Sequence, residues 1–178
     1  MTTTAFAQFA ILGECPTRRM QPHPALWLRP DNSRRRHCVN RLLTFAGWTA
    51  EQYLQVFRVR DNVSRTYEWR WSRRARDRAR QVAIDAVAGA VDAGLAGVVC
   101  LGRRSAEAVF GTNHYEPCAW HAAAYDWSRG DVCARVITRV AWIPHTSGRC
   151  RWWNDAVNRE QARAFFDTIL AEAFPSSF

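Results

Sequence analysis

Short apolar runs alternate along the chain with longer amphipathic stretches, and this alternation limits the possible folds more than any other feature. The apolar runs cover residues 6–12, 97–102 and 136–143. Because strands separated by helices pair most readily in parallel, a sheet with helices on both faces is expected. We therefore predict an α/β fold, a three-layer α/β/α sandwich around a mainly parallel sheet.

Capping signals mark the ends of the helices between these strands. Ser72 is predicted to cap a helix that runs to residue 93, and Thr49 with Gln52 forms a capping box for a short helix. Further helices are expected over 34–46, over 104–110 and from Asn158, with Gln161 as its capping partner. A chain of 178 residues can bury about 70% of its unfolded surface, so residues 1–178 are predicted to form a single domain.

The charge of the chain favours a polyanionic partner. The 25 basic residues are all arginine, the acidic residues number 16, and the formal net charge is +9. Arginine binds phosphate through two parallel hydrogen bonds and stacks on bases, and the nine tryptophans add further stacking surface. The exposed arginines are expected over 34–36 and 73–80, so nucleic acid is the predicted partner.

Apolar length and cysteine spacing exclude several classes of protein. No apolar run reaches the roughly 18 residues of a membrane helix, and the first residues lack the basic segment of a secretory signal. We therefore expect a cytoplasmic protein without membrane contact. The six cysteines form no CxxC pair, so neither a metal site nor another cofactor is predicted, and Cys100 is expected in the core.

Two loops follow predicted strands and carry the polar residues that could form a site. The first is Gly13-Glu14-Cys15-Pro16-Thr17, and the second runs from Pro144 to Asp155. Loops after parallel strands meet at the carboxyl edge of the sheet, where ligands of α/β proteins bind. A carboxylate, a histidine and an arginine-tryptophan loop are therefore expected at one edge.

These two loops resemble motifs of the uracil-DNA glycosylase superfamily. The Gly13-Glu14-Cys15-Pro16 loop is similar to the family's Gly-x-x-Pro motif, and His145-Thr146-Ser147-Gly148 is similar to its histidine loop. Residues 41–62 and 98–111 resemble the family's middle elements, so the likeness spans nearly the whole chain. It implies the family's four-stranded sheet and double-stranded DNA bound by a monomer. Thr146 replaces the usual proline, and the cysteine tetrad of the iron–sulfur branch is absent.

The resemblance assigns catalytic roles to Glu14 and His145. Family members place a catalytic carboxylate within the Gly-x-x-Pro motif, which makes Glu14 the general base that activates water. His145 would donate a hydrogen bond to the pyrimidine oxygen as negative charge builds on the leaving base. Because the chain has no lysine, a lysine Schiff base is excluded and the expected product is an abasic site.

Further residues carry over to base and DNA binding. Trp27 matches the aromatic residue that stacks on the extruded base, and Asn62 ends a strand where the family reads a pyrimidine edge. Arg149 matches the residue that enters the duplex in place of the flipped nucleotide. The remaining predicted contacts are with the base by Cys15 and Thr17, and with phosphates by Ser147, Gly148 and Arg151.

Thr17 bears on the choice of substrate. Enzymes strict for uracil carry a tyrosine there, whose ring excludes substituents at C5 of the pyrimidine. Threonine leaves room, so we expect excision of a C5-substituted pyrimidine, such as glucosylated hydroxymethylcytosine of phage DNA, in antiviral defence. The alternatives are a uracil-DNA glycosylase of base-excision repair, a DNA-binding module without catalysis, and a cysteine hydrolase that uses Cys15 with His145.

Overall fold

The computed structural model describes residues 7–14, 28–30, 38–64, 70–111, 115–146 and 150–175. Within these ranges the strands are β1 (Phe9–Gly13), β2 (Phe57–Asn62), β3 (Gly97–Leu101), β4 (His121–Arg129) and β5 (Val132–Ile143). The α-helices are α1 (Cys38–Ala46), α2 (Ala50–Val56), α3 (Arg73–Asp92), α4 (Arg103–Phe110) and α5 (Ala156–Ala173), and a short 3-10 helix covers Arg151–Asn154.

The five strands form one sheet in the order β2-β1-β3-β5-β4. Four of them are parallel, and β4 pairs antiparallel with β5 along its whole length. This confirms the predicted α/β class and the mainly parallel sheet, with one strand more than the expected four. The extra strand joins β5 through a turn at Gly130, whose positive φ of 59° favours glycine.

Helices cover both faces of the sheet, as the three-layer prediction requires. On one face α1, α2 and α5 pack on alternate residues of the central strands, including Phe9, Ile11 and Val99. On the other face α3 and α4 pack on the residues between them, including Ala10, Leu12 and Val98. The central strands are buried on both sides, which explains why they appear in the sequence as continuous apolar runs. No helix in the described ranges is both long and apolar enough to cross a membrane.

Two of the three predicted caps are confirmed. The Ser72 side chain accepts a hydrogen bond from the N–H of Ala75, and Thr49 and Gln52 form both hydrogen bonds of the capping box. The prediction for the last helix was wrong. It starts two residues earlier with Asp155 as its N-cap, while the Asn158 amide donates to the carbonyl of Trp152 instead.

The strand order places a crevice between β1 and β3. From β1 the chain leaves through α1 and α2 towards β2 on one side, and from β3 it leaves through α4 towards β4 and β5 on the other side. Helices that leave neighbouring strands in opposite directions open a gap at the carboxyl edge of the sheet. The residues that follow β1 and β3 therefore line the position at which this type of fold binds ligands.

Candidate active site

Four strand ends lie level with one another at the carboxyl edge. Gly13 pairs with Asn62 of β2 and with Leu101 of β3, and Leu101 pairs in turn with Ile143 of β5. The residues at or just after these ends are Glu14, Asn62, Gly102, Pro144 and His145. The register therefore brings Glu14, Asn62 and His145 to the same edge of the sheet, as the sequence predicted for Glu14 and His145.

Glu14 lies over the turn between β3 and α4. One of its carboxylate oxygens, Oε1, accepts a hydrogen bond of 3.0 Å from the backbone N–H of Arg104. A Cβ on Gly102 would lie 2.5 Å from that same oxygen, and Gly102 has a φ of +103°. The first turn of a helix carries a partial positive charge, which favours a carboxylate at this position. The start of α4 thus holds the carboxylate in the crevice between β1 and β3.

The Asn62 side chain is buried against Gly13. Its Oδ1 lies 2.4 Å from the position that a Cβ on Gly13 would occupy, so a larger residue there would displace the amide. Around this contact, the N–H of Val63 donates to the carbonyl of Gly13 over 3.0 Å, and the N–H of Ser64 donates to that of Glu14 over 3.1 Å. Gly13, the glycine of the Gly-x-x-Pro motif, therefore leaves space for the side-chain amide of Asn62, which was selected from the family resemblance.

The loop that carries His145 is anchored from both sides. The indole N–H of Trp153 donates to the carbonyls of Pro144 and His145, each over 3.2 Å. Trp153 also stacks on Phe45 of α1, with ring centroids 4.4 Å apart. Thr146 is fully buried, and its hydroxyl donates to the carbonyl of Cys38 at the start of α1. A proline at position 146 could not form this hydrogen bond, which is a structural reason for threonine at this position.

The surroundings of His145 favour its neutral form. Burial lowers the pKa of His145, the positive charge of Arg41 lowers it further, and the Glu14 carboxylate opposes both effects. Desolvation dominates because a charged imidazole loses more hydration than a neutral one. A neutral imidazole can donate one hydrogen bond and accept another, which suits it to an oxygen on which charge develops.

Cys38 lies close enough to Glu14 for the carboxylate to influence its pKa, yet the thiol is poorly suited to nucleophilic chemistry. Burial, aided by the Glu14 charge, raises the pKa of Cys38 to about 11 despite two backbone hydrogen bonds that lower it. Since the thiolate is the nucleophilic form, this thiol is inert near neutral pH. Cys100, expected in the core, is fully buried.

Several predicted site residues lie outside the described ranges: Cys15, Thr17, Trp27, Ser147, Gly148 and Arg149, together with residues 34–36. Their roles stay predictions. Arg151 is described, and it is exposed at the start of the short 3-10 helix that follows the histidine loop. Within the described ranges, no group of three or more histidine, cysteine, aspartate or glutamate residues could hold a metal ion.

Some residues that shape the site were not predicted from the sequence. They are Gly102 and the backbone of Arg104, which position Glu14, and Arg41 and Trp153, which influence His145. A glycine between a predicted strand and a predicted helix is a visible signal for the first pair. Nothing local in the sequence indicates the second pair, because those contacts depend on how α1 and the 3-10 helix pack.

Comparisons with known proteins add no family assignment. No protein-family model matches the sequence, and no curated protein matches it. What is established is therefore the fold and the geometry of the carboxyl edge. One carboxylate, one imidazole with a lowered pKa and one buried amide lie along this edge, a set that can orient water, stabilise a developing negative charge and read a polar edge.

Proposed function

We propose that this protein is a monofunctional DNA glycosylase that flips a pyrimidine out of double-stranded DNA and hydrolyses its N-glycosidic bond. The observation that carries the proposal is the level register of the strand ends Gly13, Asn62 and Ile143, which brings Glu14, Asn62 and His145 to one edge of the sheet. The resemblance of the two loops to the uracil-DNA glycosylase superfamily supplies the reaction class. The proposal includes action as a monomer in the cytoplasm.

The reaction begins with departure of the base. The bond between C1′ and the base nitrogen breaks, its electron pair moves onto the base, and the sugar becomes oxocarbenium-like. His145 stabilises the charge by donating a hydrogen bond to a pyrimidine oxygen. The lowered pKa of His145 favours the neutral imidazole, and the remaining ring N–H of that form is too weakly acidic to be lost, so it donates a hydrogen bond without transferring its proton.

Water then completes the hydrolysis. Glu14 orients a water molecule and accepts a proton from it as the water oxygen bonds to C1′. The hydrogen bond from Arg104 to one carboxylate oxygen fixes the orientation of the group that takes this proton. The products are the free base and an abasic site, and a lyase step through a lysine Schiff base is excluded because the chain has no lysine.

The remaining predicted site residues would recognise the base and compensate the free energy needed to flip the nucleotide out of the duplex. Asn62 offers a donor and an acceptor on one amide, which suits the edge of a pyrimidine. Extrusion of a nucleotide costs a few kcal/mol, and stacking on Trp27 with insertion of Arg149 would offset that cost. Ser147, Gly148 and Arg151 would hold neighbouring phosphates.

The proposed substrate is a pyrimidine with a substituent at C5. By the resemblance, threonine at position 17 would leave space where a tyrosine ring would overlap a C5 substituent. Glucosylated hydroxymethylcytosine of phage DNA is the bulkiest substrate base that we propose. Release of such a base would serve defence against phage. Repair of uracil is the second candidate, since a pocket with space at C5 still admits an unsubstituted ring.

Incubation with defined DNA tests both the reaction and the substrate. Purified protein is added to glucosylated phage DNA, to uracil-containing duplex and to thymine-mismatched duplex, and abasic sites and released bases are measured by mass spectrometry. We expect release of the glucosylated base, and we expect Thr17→Tyr to abolish that release while sparing any activity on uracil.

Each other outcome selects one of the alternatives. Release of uracil alone, at equal rates with threonine or tyrosine at position 17, contradicts the substrate and favours repair. Binding of DNA without any abasic product favours a binding module. Abolition of an observed activity by a thiol alkylator would favour the cysteine hydrolase.

A further inference from the structure

The charged side chains of α3 are arranged against the helix dipole, with the basic residues near its N-terminus and acidic residues nearer its C-terminus. The first eight residues contain one acidic residue, Asp77, and five arginines, which we term the α3 arginine cluster: Arg73, Arg74, Arg76, Arg78 and Arg80. The remaining twelve residues contain no arginine, whereas Asp85 and Asp92 are acidic. A helix carries its positive end at the N-terminus, so the arginines in the first turn of α3 lower the stability of the helix.

The cluster lies at the end of α3 that is nearer the candidate active site. The chain enters α3 from β2, which ends at the carboxyl edge, and leaves it towards β3, which starts at the opposite edge. Because α3 spans the sheet between these edges, its arginine-rich end faces the carboxyl edge and its acidic end faces away. The positive charge is thus concentrated on the side of the molecule that carries Glu14.

A network of polar and ring contacts joins this end of α3 to the turn that holds Glu14. The Arg104 guanidinium lies 5.3 Å above the ring of Trp71, whose indole N–H donates to Glu107 over 2.8 Å. Glu107 in turn pairs with Arg76 of the cluster over 3.6 Å. Arg76 of the cluster is therefore linked through Glu107 and Trp71 to the turn that holds Glu14.

The cluster is accessible and its length suits a nucleic-acid backbone. Arg73, Arg74, Arg78 and Arg80 are exposed, and the side chain of Arg76 is 47% exposed although it is paired with Glu107. The eight helical residues from Arg73 to Arg80 span about 10 Å, and one DNA strand offers about three phosphates over the same distance along the duplex axis. Arg73, Arg76 and Arg80 lie on one side of the helix, and Arg74 and Arg78 lie on another. Together they place positive charge complementary to a polyanion around the exposed half of the first two turns.

We infer that the α3 arginine cluster binds the phosphate backbone of the DNA duplex beside the nucleotide that is excised. The partner rests on the proposed function, whereas the position of the surface rests on the charge reversal of α3 and its contacts with α4. Through these contacts the protein holds DNA on the α3 side of the site, in addition to the contacts expected from the histidine loop. Phosphate binding thereby explains why arginines lie at the end of α3 where positive charge weakens the helix.

Salt-dependent binding to duplex DNA tests the inference. The double variant Arg73→Gln/Arg74→Gln is compared with Arg135→Gln/Arg163→Gln, which removes two exposed arginines from β5 and α5. Affinity for an unmodified duplex is measured by fluorescence anisotropy from about 50 to 200 mM salt. Each lost phosphate contact lowers the slope of log affinity against log salt by about 0.9, so we expect the α3 variant to lose about 1.8 and at least tenfold in affinity.

The control variant should keep the slope of the wild-type protein. An unchanged slope in the α3 variant, or an equal loss in the control, overturns the inference. Abasic-site formation by the wild type is measured in parallel. If bases are excised while the α3 slope is unchanged, only this inference fails; if no DNA is bound and no base is excised, the proposed function fails as well.

Discussion

Two glycines at the carboxyl edge explain how polar side chains fit between tightly packed strands. Gly13 leaves space for the Oδ1 of Asn62, and Gly102 leaves space for the carboxylate of Glu14. In each case an added methyl group would approach the oxygen to 2.5 Å or less. Glycine is common where another group approaches the backbone closely. Here it allows a polar side chain from one strand end to lie against the backbone at the end of a neighbouring strand.

The lowered pKa of His145 leads to a prediction about pH. The folded protein binds a proton on His145 at lower pH than the unfolded chain, whose histidines titrate near 6.5. As the pH falls below about 6.5, the unfolded state takes up this proton first, so the free energy of unfolding should fall. Urea unfolding between about pH 8 and 5 measures the effect.

Two variants separate His145 from the other histidines. In His145→Asn the decrease of unfolding free energy towards low pH should be smaller than in the wild type. In His121→Asn it should persist, because His145 is still present. An identical pH dependence in wild type and His145→Asn would contradict the role of burial.

At the residue scale the sequence predicted the polar groups but not what holds them. Glu14, Asn62 and His145 could be selected because each stands at the end of a recognisable strand or within a motif. The contact between Glu14 and Arg104 joins residues that are 90 positions apart, and it depends on the pairing of β1 with β3. No local pattern contains that information.

The junction of β3 with α4 is the element that most directly controls the carboxylate. Gly102 has φ +103° and ψ 163°, a conformation that is essentially restricted to glycine. Gly102→Ala should therefore cost about 1–3 kcal/mol of stability and, by displacing Glu14, at least tenfold in excision rate. Thermal unfolding and the abasic-site assay measure the two effects.

Gly94→Ala provides a matched control for this substitution. Gly94 also has a positive φ, of 68°, but nothing lies within 4 Å of an added Cβ. It should lose about 1–2 kcal/mol of stability from backbone strain while its excision rate stays close to that of the wild type. If both variants lose activity equally, the position of Glu14 over the β3–α4 turn does not matter for the reaction.

The elements differ in how well they could be predicted. The central strands and α3 follow from apolar runs and the Ser72 cap, which are strong local signals. The strand β4 escaped prediction because it contains three consecutive alanines and several polar residues, and alanine is depleted in strands. Its conformation comes from pairing with β5. The start of α5 was misplaced because Asn158 and Asp155 are both good capping residues, and the hydrogen bond of Asn158 to Trp152 depends on the 3-10 helix that precedes α5.

The fold brings three polar side chains and the arginine-rich end of α3 to one edge of the sheet. The strand order opens the crevice between β1 and β3, the loops after β1 and β5 supply Glu14 and His145, and α3 turns its arginine-rich end to the same edge. The fold class was predictable because alternation of strands and helices permits few topologies. The order of the strands, and hence the crevice, required the three-dimensional structure.

The central claim is that Glu14 acts as the base in hydrolysis of an N-glycosidic bond. Glu14→Gln keeps the size of the side chain and its hydrogen bond with Arg104 but removes the basic carboxylate. Asp155→Asn is the matched control, since asparagine also caps helices well and α5 should stay intact. Base release and duplex affinity are measured for both variants and for the wild type on the DNA that the wild type cleaves.

We expect Glu14→Gln to release the base about 100-fold more slowly, or slower still, while its affinity for DNA is unchanged or higher. Asp155→Asn should release the base at the wild-type rate. Full activity in Glu14→Gln would contradict the role of Glu14 as the base, and a loss confined to Asp155→Asn would move the carboxylate role to the loop after β5.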